Sequence, residues 1–205
     1  MKNKENNVRP ARQVKQLLAT TGFLIMLLSN PIMAQKNWIL TVRGAADFPT
    51  KQMGDATLKT AFGGEATIAY QLLPKIAIYT GWAWNKFNTE NLFNYTNVDI
   101  EETGYRFGLQ YESPFNKLKL RHFVGVGALY NHLEIENSDE KTIEDSGHGW
   151  GWKADVGFVI PLGSCLDLTP TVRYQSLKRN LNNVNVATSV NLNYISVGLG
   201  VSFLF

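Results

Sequence analysis

The sequence predicts an all-β protein, a transmembrane antiparallel up-and-down barrel of eight strands whose apolar face is turned outward to lipid. Three observations predict it. Apolar and polar residues alternate with period two through most of residues 38 to 205, the links between the alternating segments are by turns short and long, and a segment of export type precedes them. Alternation at period two puts successive side chains on opposite faces of a strand, whereas helical spacing, with apolar residues three and four apart, is almost absent.

The leading segment carries Lys2, Lys4, Arg9, Arg12 and Lys15 against Glu5, then an apolar run from Leu17 to Leu28, then Pro31 and Ala34. This pattern reads as a signal peptide over residues 1 to 34, cut between Ala34 and Gln35. A membrane anchor needs roughly 20 apolar residues, and this run stops well short of that. The segment holds +4 of the total charge of +3, so residues 35 to 205 carry −1 and the basic balance does not point to nucleic acid. Cys165 is the single cysteine, which excludes an intrachain disulfide and an N-terminal lipidated cysteine.

The barrel is expected over residues 35 to 205. Its first strand, near 38 to 48, puts Trp38, Leu40, Val42, Ala46 and Phe48 opposite Thr41, Arg43 and Asp47; Ile39 then points inward and is expected to pack on interior glycines. The second, 60 to 72, sets Phe62, Ala66, Ile68, Tyr70 and Leu72 against Glu65, Thr67 and Gln71. In the third, 75 to 87, both faces are apolar, with Ile76, Ile78, Trp82 and Trp84 on one and Ala77, Tyr79, Ala83 and Phe87 on the other, so no direction is assigned. The fourth, 104 to 112, opposes Tyr105, Phe107, Leu109 and Tyr111 to Arg106, Gln110 and Glu112. The fifth, 118 to 132, alternates Val124, Val126, Ala128 and Tyr130 with Lys119, Arg121 and Asn131, while Phe123 and Leu129 dilute its polar face. The sixth and seventh, 151 to 160 and 166 to 175, oppose Trp152, Val156 and Phe158 to Lys153 and Asp155, and Leu168, Val172 and Tyr174 to Asp167, Arg173 and Gln175. Pro170 lacks an N–H, so a bulge or local break is expected there. The last strand ends on Ile195, Val197, Leu199, Val201, Phe203 and Phe205, opposite serines and glycines.

Short links are expected at Leu73-Pro74, Ser113 to Lys117 and Leu162 to Cys165. Long ones are expected at Pro49 to Lys59, Asn88 to Asp99, Glu134 to Gly149 and Arg179 to Ser189. That rhythm is the one of membrane barrels, with short periplasmic turns and long external loops. Aromatics near strand ends (Trp38, Phe48, Tyr70, Tyr111, Tyr130, Trp152, Tyr174 and Phe205) suit two interfacial girdles. In lipid an open sheet edge would leave backbone groups unpaired at several kcal/mol each, so the first and last strands are expected to pair.

The chain resembles the small outer-membrane β-barrels of the OmpA/OmpX-like superfamily over residues 35 to 205, most specifically in its terminal strand from Tyr194 to Phe205. The resemblance implies that this strand, through Tyr194, Val201, Phe203 and Phe205, is the signal read by the barrel assembly machinery. It also implies periplasmic termini, surface-exposed long loops and an outer-membrane location in a Gram-negative-type bacterium. No peptidoglycan-binding half is expected after Phe205.

Strand parity places Arg43, Glu65, Arg106, Lys153, Asp155 and Arg173 inside the barrel near mid-height, and Glu112, Lys119, Arg121 and Asp167 inside nearer the periplasmic end. They are expected to meet as ion pairs, since an unpaired interior charge is costly. A gate or narrow polar path is the functional reading and a structural plug the blander one, favoured because eight strands leave no open lumen. His122 and His132 fall ten residues apart on the lipid-facing parity and His148 in a loop. No nucleophile and base converge, and neither catalysis, nor a metal site, nor a cofactor is expected. The acidic stretch Glu134 to Asp145 suits divalent cations bridging lipopolysaccharide or an extracellular ligand, against the plainer reading of a solvated loop. The triplet Asn94-Tyr95-Thr96 is a glycosylation sequon, weak evidence in a bacterial chain. The expected role is an integral barrel with a structural or surface-interaction role of adhesion type. A narrow porin-like channel and a lipid-modifying enzyme are the alternatives.

Overall fold

Alternating sequence becomes a closed sheet in the computed structural model, which describes residues 37–205 apart from 54–56, 93–94, 116–118, 138, 140 and 184–185, and leaves the side chains of 90–97 and 181–189 outside the description. The expected signal peptide therefore lies outside the described residues, as does Asn94 of the sequon. The strands are β1 (Trp38–Pro49), β2 (Ala61–Leu73), β3 (Ile76–Leu92), β4 (Tyr95–Pro114), β5 (Arg121–Glu136), β6 (Thr142–Asp145), β7 (Gly149–Pro161), β8 (Leu166–Asn183) and β9 (Val186–Leu204). Antiparallel pairing runs β1-β2-β3-β4-β5-β7-β8-β9 and returns to β1, a ring of eight. The short β6 is a ninth strand that pairs only with the outer end of β5.

Closure runs from Ile39 opposite Leu204 to Pro49 opposite Tyr194. It is finished by reciprocal bonds between Trp38 and Phe205, N–H to carbonyl, at 3.1 and 3.0 Å. Each strand of the ring of eight thus has a partner on both sides, which is what hydrocarbon demands of backbone N–H and C=O groups.

Outward side chains form the apolar belt: Val42 is 60% exposed, Val126 58%, Val156 53% and Leu199 53%. A soluble monomer rarely exposes a contiguous apolar patch of more than a few hundred Å². The belt also settles the third strand, where Ile78 and Trp82 are exposed and Ala77, Tyr79, Ala83 and Phe87 are buried. Trp38 lies against Tyr70, tilted, at the rim that bears the short links, with ring centroids 4.9 Å apart, and Trp152 against Tyr174, also tilted, toward the other rim at 5.4 Å. Inside, two glycines make room for one ring: a Cβ on Gly108 or Gly127 would collide with the Tyr79 hydroxyl.

The bounds of the long links and the place of Lys119 need correction. The segments Asn88 to Asp99 and Arg179 to Ser189 are mostly strand, not loop, since β3 runs to Leu92, β4 starts at Tyr95, β8 runs to Asn183 and β9 starts at Val186. The segment Glu134 to Gly149 likewise contains the end of β5 and all of β6. Crossing a bilayer takes roughly 9–11 strand residues, and β4 has 20 and β9 has 19, so these strands continue above the membrane. There the polarity reverses: Asp99, Glu101, Glu134 and Glu136 point outward, while Val98, Ile100, Leu133 and Ile135 are buried inside. Lys119, expected inside, lies exposed in the turn before β5, because that strand begins only at Arg121. At Pro170 the β8 register against β7 is unchanged on either side (Gly157 opposite Thr171, Ile160 opposite Leu168), but the two bridges between are missing. The missing donor interrupts the ladder, which is the local break expected at this proline.

Candidate functional site

The interior is layered, and each layer follows from which residues the inward parity delivers at that height. Nearest the end that bears the short links, Arg121 of β5 joins Glu112 of β4 at 2.5 Å and Asp167 of β8 at 2.6 Å.

Above it lies an ionic belt made of the six charged residues that parity had placed at mid-height. Glu65 of β2 is its hub. It accepts two hydrogen bonds from Arg173 of β8, at 2.7 and 3.0 Å, and stands 3.0 Å from Arg106 of β4 and 3.7 Å from Arg43 of β1. Asp155 of β7 receives Arg173 Nε and, at 3.1 Å, Lys153 Nζ, which also sits 4.6 Å from the centre of the Tyr79 ring. All six are less than a tenth exposed. A buried carboxylate flanked by several cations is tolerable, whereas either sign left alone would not be.

The next layer is polar but mostly uncharged. Tyr194 of β9, fully buried, donates to Glu102 and accepts from Gln175 and, at 3.0 Å, from Asn85. Asn131 donates to Glu102 from the other side, and Arg179 reaches the carbonyls of Asn131 at 3.0 Å and Trp150 at 2.9 Å. Tyr194 thus points into the lumen, while Val201 and Phe205 face outward with the belt. The top layer is apolar: Phe87, Ile100, Leu129, Leu133, Ile135 and Leu192 pack with Met53 and Leu58, which lie between β1 and β2 in the chain. Phe87 lies edge-on to Tyr194 at 5.1 Å.

Several of these interior residues escaped the sequence reading. Glu102 and Asn85 were hidden because the strands were ended too early or their faces left open. Arg179 was assigned to a loop. Only the parity of β8, extended two residues past Leu177, would have placed it inside.

At the outer rim the barrel exterior carries carboxylates. Lys86 Nζ lies 3.3 Å from Asp99, 3.0 Å from Glu101 and 3.2 Å from Glu136, so an ammonium already occupies the centre of that tripod. Partial burial opposes the Lys86 charge, yet these carboxylates raise its pKa above the ordinary lysine value. For Glu101, partial burial raises the pKa, but the Trp84 indole N–H at 2.9 Å and Lys86 outweigh it and hold the carboxyl below its usual value. Next to them His132 Nδ1 is 3.2 Å from Asp145 and 3.8 Å from Glu134. His148 stacks on the His132 ring at 4.5 Å, although the sequence left these two histidines apart. Gly147, with φ 65°, makes the left-handed turn that returns the chain there.

A family model described as the outer membrane protein beta-barrel domain matches residues 22–203. The chain belongs to this family. Its membership gives the apolar belt its solvent, the lipid of an outer membrane. Among solved structures, the barrel is similar to Neisserial surface protein A, with 13% identity and a TM-score of 0.59 over 82% of this chain and 97% of that one. It is also similar to AlkL, determined in lipid bilayers, with 20% identity and a TM-score of 0.59 over 83% and 90%. The outer membrane protein OprG of Pseudomonas aeruginosa gives 18% identity and a TM-score of 0.55 over 82% and 95%. No curated protein sequence matches the chain. At these identities the likenesses establish the outer-membrane barrel fold shared by the family and leave each member's role its own.

Proposed function

We propose that this outer-membrane barrel is an anchor with a structural or surface-interaction role of adhesion type, exported by its leading segment and closed to steady conduction. The observation that carries the reading is double occlusion. The ionic belt crosses the lumen at mid-height and the apolar cluster of the top layer fills it again above. An eight-stranded barrel is only wide enough for side chains to fill its interior, and here they do so at two levels. The strand extensions then present a polar, acidic exterior above the membrane, the surface a lipopolysaccharide layer or an extracellular ligand would meet. The assembly machinery would read the terminal strand during insertion. We also propose no catalytic role: His132 is engaged by Asp145 on the outside of the barrel, away from any enclosed site.

Planar-bilayer recording tests this reading. Purified barrel is expected to give no steady current, and a sustained large conductance would overturn the closed-lumen account. A narrow channel gated at Glu65 is the second reading. It is favoured by the polar cavity that leads up to the belt from the periplasmic end. Under that reading Glu65→Gln would convert a silent barrel into a conducting one.

A further inference from the structure

Below the ionic belt the lumen is open. A cavity of about 290 Å³ runs from the belt down to the periplasmic ends of the strands, with Ile39, Lys75 and Leu204 at its lower edge and Arg43, Lys153 and Tyr79 toward its head. Charge at that head does not balance. The belt holds four cations, Arg43, Arg106, Lys153 and Arg173, against the two carboxylates Glu65 and Asp155. The remaining carboxylates of the lumen belong to the neighbouring layers, and among the described residues none of them bonds Arg43. Below, Glu112 and Asp167 are bound to Arg121. Above, Glu102 is bound by Tyr194, Asn85 and Asn131, and Asp47 stands four residues farther along β1 than Arg43, roughly 13 Å at strand rise.

Arg43 bears that imbalance. Arg173, Arg106 and Lys153 each have a carboxylate oxygen within 3.1 Å, whereas the nearest one to Arg43 is Glu65 Oε1 at 3.7 Å. Its Nε and Nη1 have no hydrogen-bond partner although the residue is only 7% exposed, and the Tyr79 hydroxyl beside the same cavity has none either. A buried guanidinium with donors unpaired is costly, and its planar fork matches two oxygens of an oxyanion.

We propose that this cavity binds a small oxyanion, a phosphate, sulfate or carboxylate group, that enters from the periplasm and is held by the Arg43 fork with Lys153 and the Tyr79 hydroxyl around it. The volume leaves space for a short organic remainder beyond the anionic group. Because the belt closes the upper end, the site is a dead-end receptor on the periplasmic side and independent of whatever the outer surface meets.

The test is isothermal titration of inorganic phosphate, at constant ionic strength, into the protein extracted in a phosphate-free maltoside detergent. One saturable site is expected, weakened at least about tenfold by Arg43→Gln and unchanged by Lys86→Gln at the outer rim. Heat-modifiable migration shows that each variant is folded. Arg43→Lys, which keeps the charge and loses the fork, is expected to retain part of the affinity. A short-chain phosphatidylglycerol, titrated below its micelle concentration, distinguishes the source. Competition with phosphate at the same site identifies a lipid headgroup as the natural occupant, and its failure beside intact phosphate binding identifies a soluble anion. Absence of a saturable phosphate signal in the wild type, or a signal indifferent to Arg43→Gln in a folded barrel, overturns the proposal.

Discussion

Glu65→Gln removes the single carboxylate that Arg173, Arg106 and Arg43 share, while keeping the volume of the side chain. In the wild type Arg173 donates to both of its oxygens, at 2.7 and 3.0 Å, and Arg106 stands 3.0 Å away. After the change Arg173 keeps Asp155 and Arg106 keeps Gln175, but the belt becomes four cations around one carboxylate. Removing one partner of a buried pair costs about 3–5 kcal/mol, because the other charge stays buried and uncompensated. One amide carbonyl still accepts a hydrogen bond, which offsets part of this, so a loss of about 4 kcal/mol is expected. That is nearly a thousandfold in the unfolding equilibrium at 1.4 kcal/mol per tenfold. The assay is urea unfolding in lipid vesicles, followed by tryptophan fluorescence and by heat-modifiable migration. Glu101→Gln, in the outer-rim network, is the control and is expected to cost about 1 kcal/mol or less, in the range of surface pairs. Glu65→Gln within about 1 kcal/mol of wild type would refute the view that the belt is a mutually dependent ion network.

Other outcomes follow from the same structure. Val126→Arg, on the lipid face at mid-height and 58% exposed, is expected to cost about 2–4 kcal/mol in vesicle unfolding, whereas the same change at Ile143 on β6, above the membrane, is expected to be nearly neutral. Tyr194→Phe leaves Glu102 without one of its donors in a buried site, an expected loss of about 1–3 kcal/mol by the same assay. The outer-rim network has a defined pH response. The Glu101 pKa is depressed on folding, so its contribution is present above the ordinary value and disappears as pH falls through the folded one; the Lys86 pKa is elevated, so its contribution is present below the ordinary lysine value and disappears at strongly alkaline pH. The fluorescence difference between wild type and Trp84→Phe should therefore stay flat through neutral pH and change in acid, and Glu101→Gln should abolish the acid change.

The membrane half of this fold was legible because lipid imposes the strongest possible contrast between faces. Val42, Val126 and Leu199 alternate with Arg43, Gly127 and Gly200, and nothing but outward and inward parity explains it. The same contrast gave the residues of the ionic belt one by one. Where lipid ends, so does the signal. On β4 the pair Ile100–Glu101 reverses the sense of Arg106–Phe107, and a run that changes sense within one strand reads as the end of that strand. The asparagine-rich end of β8 has low contrast on either side, so it read as loop and took Arg179 with it. The pairing that sets Arg43 apart from the other cations was not legible, because sequence parity fixes which way a side chain points and not which of two carboxylates it reaches.

The outward direction of the apolar face is measured most directly by spin labels placed one at a time along β5, from 123 to 136 with Gly127 left unlabelled, in a Cys165→Ser background reconstituted in vesicles. Collision with lipid-soluble oxygen should oscillate with period two, high at 124, 126, 128 and 130 and low at 123, 125 and 129. At 132, 134 and 136 a water-soluble nickel reagent should take over as the effective collider. Oxygen maxima at the odd positions, or nickel access at 126 equal to that at 134, would contradict a barrel that turns its apolar side to lipid and its polar side to the lumen.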